Sequence, residues 1–174
     1  MSREHVRQAV SEAKTLIEKS YGEPLWQNEI RTRYVLIDPL LRACGWDLSD
    51  PNQVTIEART EKATKKRVDY LLTLRDGTPI YVEAKVFTHQ GLKWGSDRWK
   101  EDKEPLIRQL RSYVSNKHRG FAVLTDGDLW IIYDLSRQGR FSLKLAERIS
   151  LWDNSIKRCT DVLHNWLRRD YRHT

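Results

Sequence analysis

Apolar residues recur near the start of the chain as Val6, Val10, Ala13 and Ile17. Positions three and four apart share one helix face, so this stripe predicts an amphipathic helix, ended by Tyr21-Gly22-Glu23-Pro24. A second stripe, Ile30, Tyr34, Ile37, Leu41 and Cys44, predicts another helix. Pro39 interrupts it. Proline is tolerated at the first position of a helix, so Asp38 is expected to cap a short new one, which Gly45 stops. The period then changes to two. Val54, Ile56 and Ala58 alternate with polar neighbours as a first strand. The run from Arg67 to Leu74 sets Val68, Tyr70, Leu72 and Leu74 against Asp69, Leu71 and Thr73. Asp76-Gly77 signals a hairpin, and Pro79 to Phe87 is expected to return as a strand. Helical spacing resumes from Trp99 to about Asn116, with Leu106, Leu110 and Tyr113 on one side. Phe121 to Leu124 reads as a buried strand, Thr125-Asp126-Gly127-Asp128 as a turn, and Leu129 to Tyr133 as a further strand. Ile156, Cys159, Leu163 and Trp166 mark a final helix. The predicted order is αα-βββ-α-ββ-α: an α/β chain with a mixed sheet flanked by helices, expected as one domain over residues 1–174.

Hydrophobic residues make up 39% of the chain and include seven Trp, enough for a real core, while 32% are charged. The net charge of +7 suits a polyanionic partner, because a Lys or Arg placed on a phosphate releases condensed counterions. Cys44 and Cys159 sit in no metal-like spacing and read as small buried hydrophobes in a reducing compartment. No apolar run approaches a membrane span and no signal-peptide core is present, so a cytoplasmic protein without a membrane partner is expected.

The chemistry concentrates on the hairpin. Glu83 and Lys85 are two apart on a strand and so share a face, opposite Val82, Ala84 and Val86. With that apolar set buried, the charged pair is expected to look into a cleft or solvent. Asp69 joins them only in one register. A three-residue loop, Arg75-Asp76-Gly77, pairs Leu74 with Thr78 and sets Asp69 opposite Glu83; Gly77 suits its left-handed last position. A two-residue Asp76-Gly77 turn would flip Asp69 to the other face. If the three converge, two hard carboxylates can hold Mg²⁺ with positions open for water and a phosphate oxygen, and Lys85 can orient the water or neutralise growing charge. An exposed cross-strand charge cluster is the plain alternative.

These residues resemble a known family. Arg67-Val68-Asp69 with Val82-Glu83-Ala84-Lys85 is similar to the motif of the PD-(D/E)xK nuclease superfamily, with Val68 where proline often stands. Tyr34-Val35-Leu36-Ile37-Asp38-Pro39-Leu40-Leu41-Arg42, Gly45-Trp46-Asp47 and Phe121-Ala122-Val123-Leu124-Thr125-Asp126-Gly127 resemble the N-terminal nuclease domain of type I restriction enzyme motor subunits. Gln109-Leu110-Arg111-Ser112-Tyr113 matches the Gln-x-x-x-Tyr motif of such nucleases. The resemblance spans roughly residues 26 to 135 and implies a restriction-endonuclease-like core with the first and last helices packed on it. It implies Asp69 and Glu83 as metal ligands, Lys85 as the catalytic lysine and Glu29 as an acid completing the metal site. Gln109 and Tyr113 would support the site or touch the DNA backbone. The implied activity is Mg²⁺-dependent hydrolysis of phosphodiester bonds in DNA, with Mn²⁺ as a substitute; a homodimer or a larger nuclease complex would suit it. The rival is a silent nucleic-acid-binding or assembly module with the same fold. There is no Walker-type loop, so no ATP chemistry is expected.

Basic residues flank the acidic strands on both sides. Lys62, Lys65, Lys66 and Arg67 precede Asp69, and Lys93, Trp94, Arg98, Trp99 and Lys100 follow Lys85. Cations interleaved with Trp can grip a phosphate backbone and stack on bases. The five histidines are scattered; His118 beside Arg119 reads as a surface residue. Asp126-Gly127-Asp128 lacks the further ligands of a calcium loop and reads as a hairpin turn.

Overall fold

The first stripe closes on the body of the protein as its spacing requires. Helix α1 (Arg3–Lys19) buries Val6, Val10, Ala13 and Ile17. The computed structural model describes residues 2–20, 28–59, 67–87, 107–108, 110, 120–135 and 144–170. A helical stretch follows, built of α2 (Glu29–Thr32), a π-helical turn (Arg33–Ile37) and α3 (Asp38–Ala43). Asn28 starts it: its side chain accepts the N–H of Arg31 at 2.8 Å, satisfying one of the donors a helix start leaves open. Gly45, at φ +99°, ends it with N–H bonds from Gly45 to Arg42 and from Trp46 to Leu41.

The π turn corrects two expectations. Asp38 does not cap a new helix, because the backbone runs helical through it and its N–H bonds to the Arg33 carbonyl. The wide turn gives the ring of Pro39 room that a regular α-turn would deny it. It also shifts the helix phase. Thr32, Leu36, Ile37, Leu40, Leu41 and Cys44 are buried, whereas Ile30 and Tyr34 are 77% and 72% exposed.

Six strands follow in sequential order across one mixed sheet: β1 (Val54–Arg59), β2 (Arg67–Thr73), β3 (Pro79–Ala84), β4 (Phe121–Thr125), β5 (Leu129–Asp134) and β6 (Lys144–Ser150). Every neighbouring pair is antiparallel except β3 and β4, which run parallel. Strand β6 was not expected. It is an edge strand, mostly exposed or half-buried, with a register shift opposite Ile132 and Tyr133 that breaks the period of two. The helix expected from Trp99 to about Asn116 lies mostly outside the described residues; Ile107, Arg108 and Leu110 within it are helical. Helix α4 (Ile156–Leu167) closes the chain, started by Ser155 accepting the N–H of Arg158 at 3.2 Å.

Both faces of the sheet are covered. On one, α1, the 29–43 stretch, Trp46 and α4 bury Tyr70, Leu72, Ile80, Val82, Phe121, Val123, Trp130 and Ile132. On the other, Tyr81, Ala122, Leu124, Ile131 and Tyr133 gather with Ile107 and Leu110. Cys44 and Cys159 are both free and buried, and burial pushes their thiols up to about 12 and about 11. Among the described residues, no helix is long and apolar enough to cross a membrane.

Candidate active site

Turn chemistry sets the register. Leu74 N–H donates to the Thr78 carbonyl at 2.9 Å, Asp76 accepts the N–H of Thr78, and Gly77 takes φ +82°. This is the three-residue loop Arg75-Asp76-Gly77, and it pairs Thr73 with Pro79 and Tyr70 with Val82. One step beyond that last pair, Asp69 and Glu83 fall on the same face.

At this point the two strands part. The β2–β3 ladder ends at Tyr70 and Val82, and the N–H of Ala84 donates instead to Asp69 Oδ2 at 2.7 Å. Strand β3 stays with β4, since Lys85 N–H reaches the Thr125 carbonyl at 2.8 Å. It ends at Ala84, short of the expected Phe87, because the Phe87 N–H turns away to Thr32 Oγ1 at 2.9 Å. That bond ties the exit of β3 to the helical stretch carrying Glu29 and Arg33.

Four charged side chains meet at the fork. Lys85 Nζ lies 2.6 Å from Glu83 Oε1. Arg33 Nη1 lies 3.6 Å from Asp69 Oδ1. Glu83 is only 3% exposed and Lys85 partly so, so of the cleft or solvent expected for the pair the first applies to Glu83, on the sheet face of the second apolar cluster. Burial raises the Glu83 carboxyl to about 7, and Asp69 and Glu29 add to the rise against the pull of Lys85. Burial also raises Glu29, and Asp69 raises it further, while Lys85 and Arg33 oppose. Glu29, Asp69, Glu83 and Lys85 therefore lie within electrostatic reach of one another.

Among the described residues, no three His, Cys, Asp or Glu stand close enough together to form a metal cage. The local bonds explain this: Asp69 is held by Ala84 and faces Arg33, and Glu83 is held by Lys85. Mg²⁺ needs less, since it keeps several waters and takes one or two carboxylates plus substrate phosphates. Asp69 and Glu83 fit that requirement. Burial, and to a lesser extent the nearby Asp69 and Glu29, raises the Glu83 carboxyl, and a divalent cation would offset both effects.

Arg33, Tyr70 and Asp38 were not foreseen. Arg33 Nε donates to the Tyr70 hydroxyl at 3.0 Å, its guanidinium lies 4.5 Å from the centre of the Tyr70 ring, and Tyr70 donates to Asp38 Oδ1 at 2.6 Å. The available signal was that Arg33 stands four residues after Glu29, one helical turn on. The assumed α phase turned attention to Ile30 and Tyr34 instead. Of the expected nucleic-acid contacts, Arg67 is exposed and pairs with Glu57 at 3.0 Å. Lys62, Lys65, Lys66, Lys93, Trp94, Arg98, Trp99 and Lys100 lie outside the described residues, as do Gln109, Tyr113 and His118.

Two of the phrases behind the resemblance touch. Gly127, at φ +88°, packs so closely on the helical stretch that an added Cβ would stand 2.6 Å from Leu36 Cβ. Trp46 is buried and donates to the Leu167 carbonyl at 2.7 Å. No family model, curated protein or solved structure matches this chain.

Proposed function

We propose that this chain is a Mg²⁺-dependent nuclease domain that hydrolyses phosphodiester bonds in DNA, with a restriction-endonuclease-like core similar to that of type I restriction enzyme motor subunits. One observation carries the reading. Where β2 and β3 part, Asp69 comes alongside Glu83, whose carboxyl is raised to about 7 by burial and by neighbouring acids, with Lys85 Nζ 2.6 Å from it. A lone surface charge cluster does not explain an acid only 3% exposed.

Asp69 and Glu83 would hold the cation, and Glu29 would add a third acid nearby. Bound Mg²⁺, or Mn²⁺ in its place, supplies Lewis-acid activation of the phosphoryl group and a more acidic bound water. Lys85, now paired with Glu83, would orient the attacking water or offset the charge growing on the phosphorane if Glu83 held a cation. The basic excess of the chain draws the polyanion. No ATP enters this scheme.

The second reading is a silent nucleic-acid-binding or assembly module with this fold. It is favoured by the way Asp69 and Glu83 are already paired with Arg33 and Lys85. Incubating the purified protein with single- and double-stranded DNA and RNA, in Mg²⁺, Mn²⁺ or chelator, separates the two. Metal-dependent cleavage lost in Asp69→Ala and Lys85→Ala supports the enzyme. Tight binding without cleavage in any metal supports the module.

A further inference from the structure

The helical stretch brings a cation into the acidic fork. Arg33 is not a loose surface residue: its side chain is 14% exposed, and that of Asp69 16%. The guanidinium is set from behind. Its Nε bonds to the Tyr70 hydroxyl, which is anchored on Asp38, and its plane lies against the Tyr70 ring. This leaves Nη1 3.6 Å from Asp69 Oδ1, close enough to neutralise the carboxylate but longer than a good hydrogen bond. The partner that fixes Arg33 is therefore Tyr70, and Asp69 receives its charge without being tightly bound to it. Asp69 is in turn fixed by the Ala84 N–H through its other oxygen. Two charges are thus held facing each other by separate anchors.

We infer that Arg33 is a built-in competitor for the divalent cation, a positioning residue that lowers the metal affinity of Asp69 and so sets the concentration at which the site loads. This rests on the nuclease reading above. A fixed positive charge within a few Å of a ligand oxygen repels an incoming dication and already satisfies the carboxylate that must bind it. Removing that charge frees Asp69; keeping it as lysine preserves the competition.

The test is calorimetric titration of Mn²⁺ into the purified full chain without nucleic acid, each variant first checked for folding by circular dichroism. Arg33→Gln is expected to bind Mn²⁺ about tenfold more tightly or better, and Arg33→Lys within about twofold of the parent. Tyr70→Phe removes the hydroxyl that holds Nε, lets the guanidinium close on Asp69, and is expected to weaken Mn²⁺ binding several-fold. That arm decides the matter should Arg33→Gln not fold. Binding that needs Asp69, as judged by Asp69→Asn, yet is unchanged or weaker in Arg33→Gln overturns this inference alone. Binding that is unchanged or tighter in Tyr70→Phe also overturns it. No Mn²⁺ binding to the parent, or equal binding in Asp69→Asn, removes the metal reading together with it.

Discussion

Among the described residues, the buried carboxylates of the Asp126–Asp128 turn accept from backbone N–H groups and a hydroxyl, whereas those at the β2–β3 fork also meet a lysine and an arginine. Asp126 Oδ1 accepts from Asp128 and Leu129, and Asp128 Oδ1 accepts from Trp152 N–H and the Ser150 hydroxyl. These backbone and hydroxyl donors are fixed by the fold, so the carboxylates serve to hold the turn itself. At the fork the acids instead lie near one another, and an ammonium and a guanidinium group face them. Glu83 and Asp126, both 3% exposed, thus differ in task. A carboxylate saturated by backbone donors is structure, and one balanced against neighbouring charges is poised for exchange.

Substitution at both places gives the largest contrast. Asp69→Ala is expected to reduce cleavage about 1,000-fold or more while changing unfolding free energy by no more than about 1 kcal/mol, since relief of crowding offsets the lost Ala84 contact. Asp126→Ala strands the N–H groups of Asp128 and Leu129 and is expected to cost roughly 2 to 4 kcal/mol in urea unfolding, with Mn²⁺ affinity unchanged. A reversal of these two patterns would erase the distinction between the sites.

A smaller effect appears with pH. The folded Glu83 binds its proton more tightly than the unfolded chain does, about 7 against the model-peptide 4.5. Between those values the native state holds more protons. Stability of the metal-free protein therefore falls as pH rises through that window, by about 3 kcal/mol from this group. Glu83→Gln should flatten that slope, and saturating Mn²⁺ should reduce it. A slope unchanged in Glu83→Gln would mean that another group titrates there.

Reading the hairpin from sequence succeeded because turn chemistry is local: Asp76 and Gly77 dictate a loop length, and loop length dictates register. The cover over Glu83 was also within reach. The unbroken apolar runs of β4 and β5 have the pattern of strands buried on both faces. Strand β6 was hidden because a bulge and an exposed edge erase alternation. The role of Arg33 was hidden for a different reason. Helical phase is assigned by assuming 3.6 residues per turn, and one wide turn before Pro39 invalidates that assumption. The smallest test concerns the turn that was read correctly. Gly77 has open space around its missing Cβ, so Gly77→Ala should cost only the left-handed backbone, about 1 kcal/mol in thermal unfolding, and leave cleavage intact.

The π turn lets one rod serve two masters. Leu36 and Ile37 at its end, with Leu40 and Leu41 after it, are welded into the hydrophobic interior; Glu29 before it and Arg33 at its start address the fork. The turn holds about one residue more than an α-turn, so its two ends keep the facing of a continuous helix while the chain between them is longer. Removing that residue would restore an ordinary helix with its halves still in phase, but would press the ring of Pro39 on the carbonyl four positions before it. The added residue thus accommodates the proline without turning Glu29 away from the hairpin.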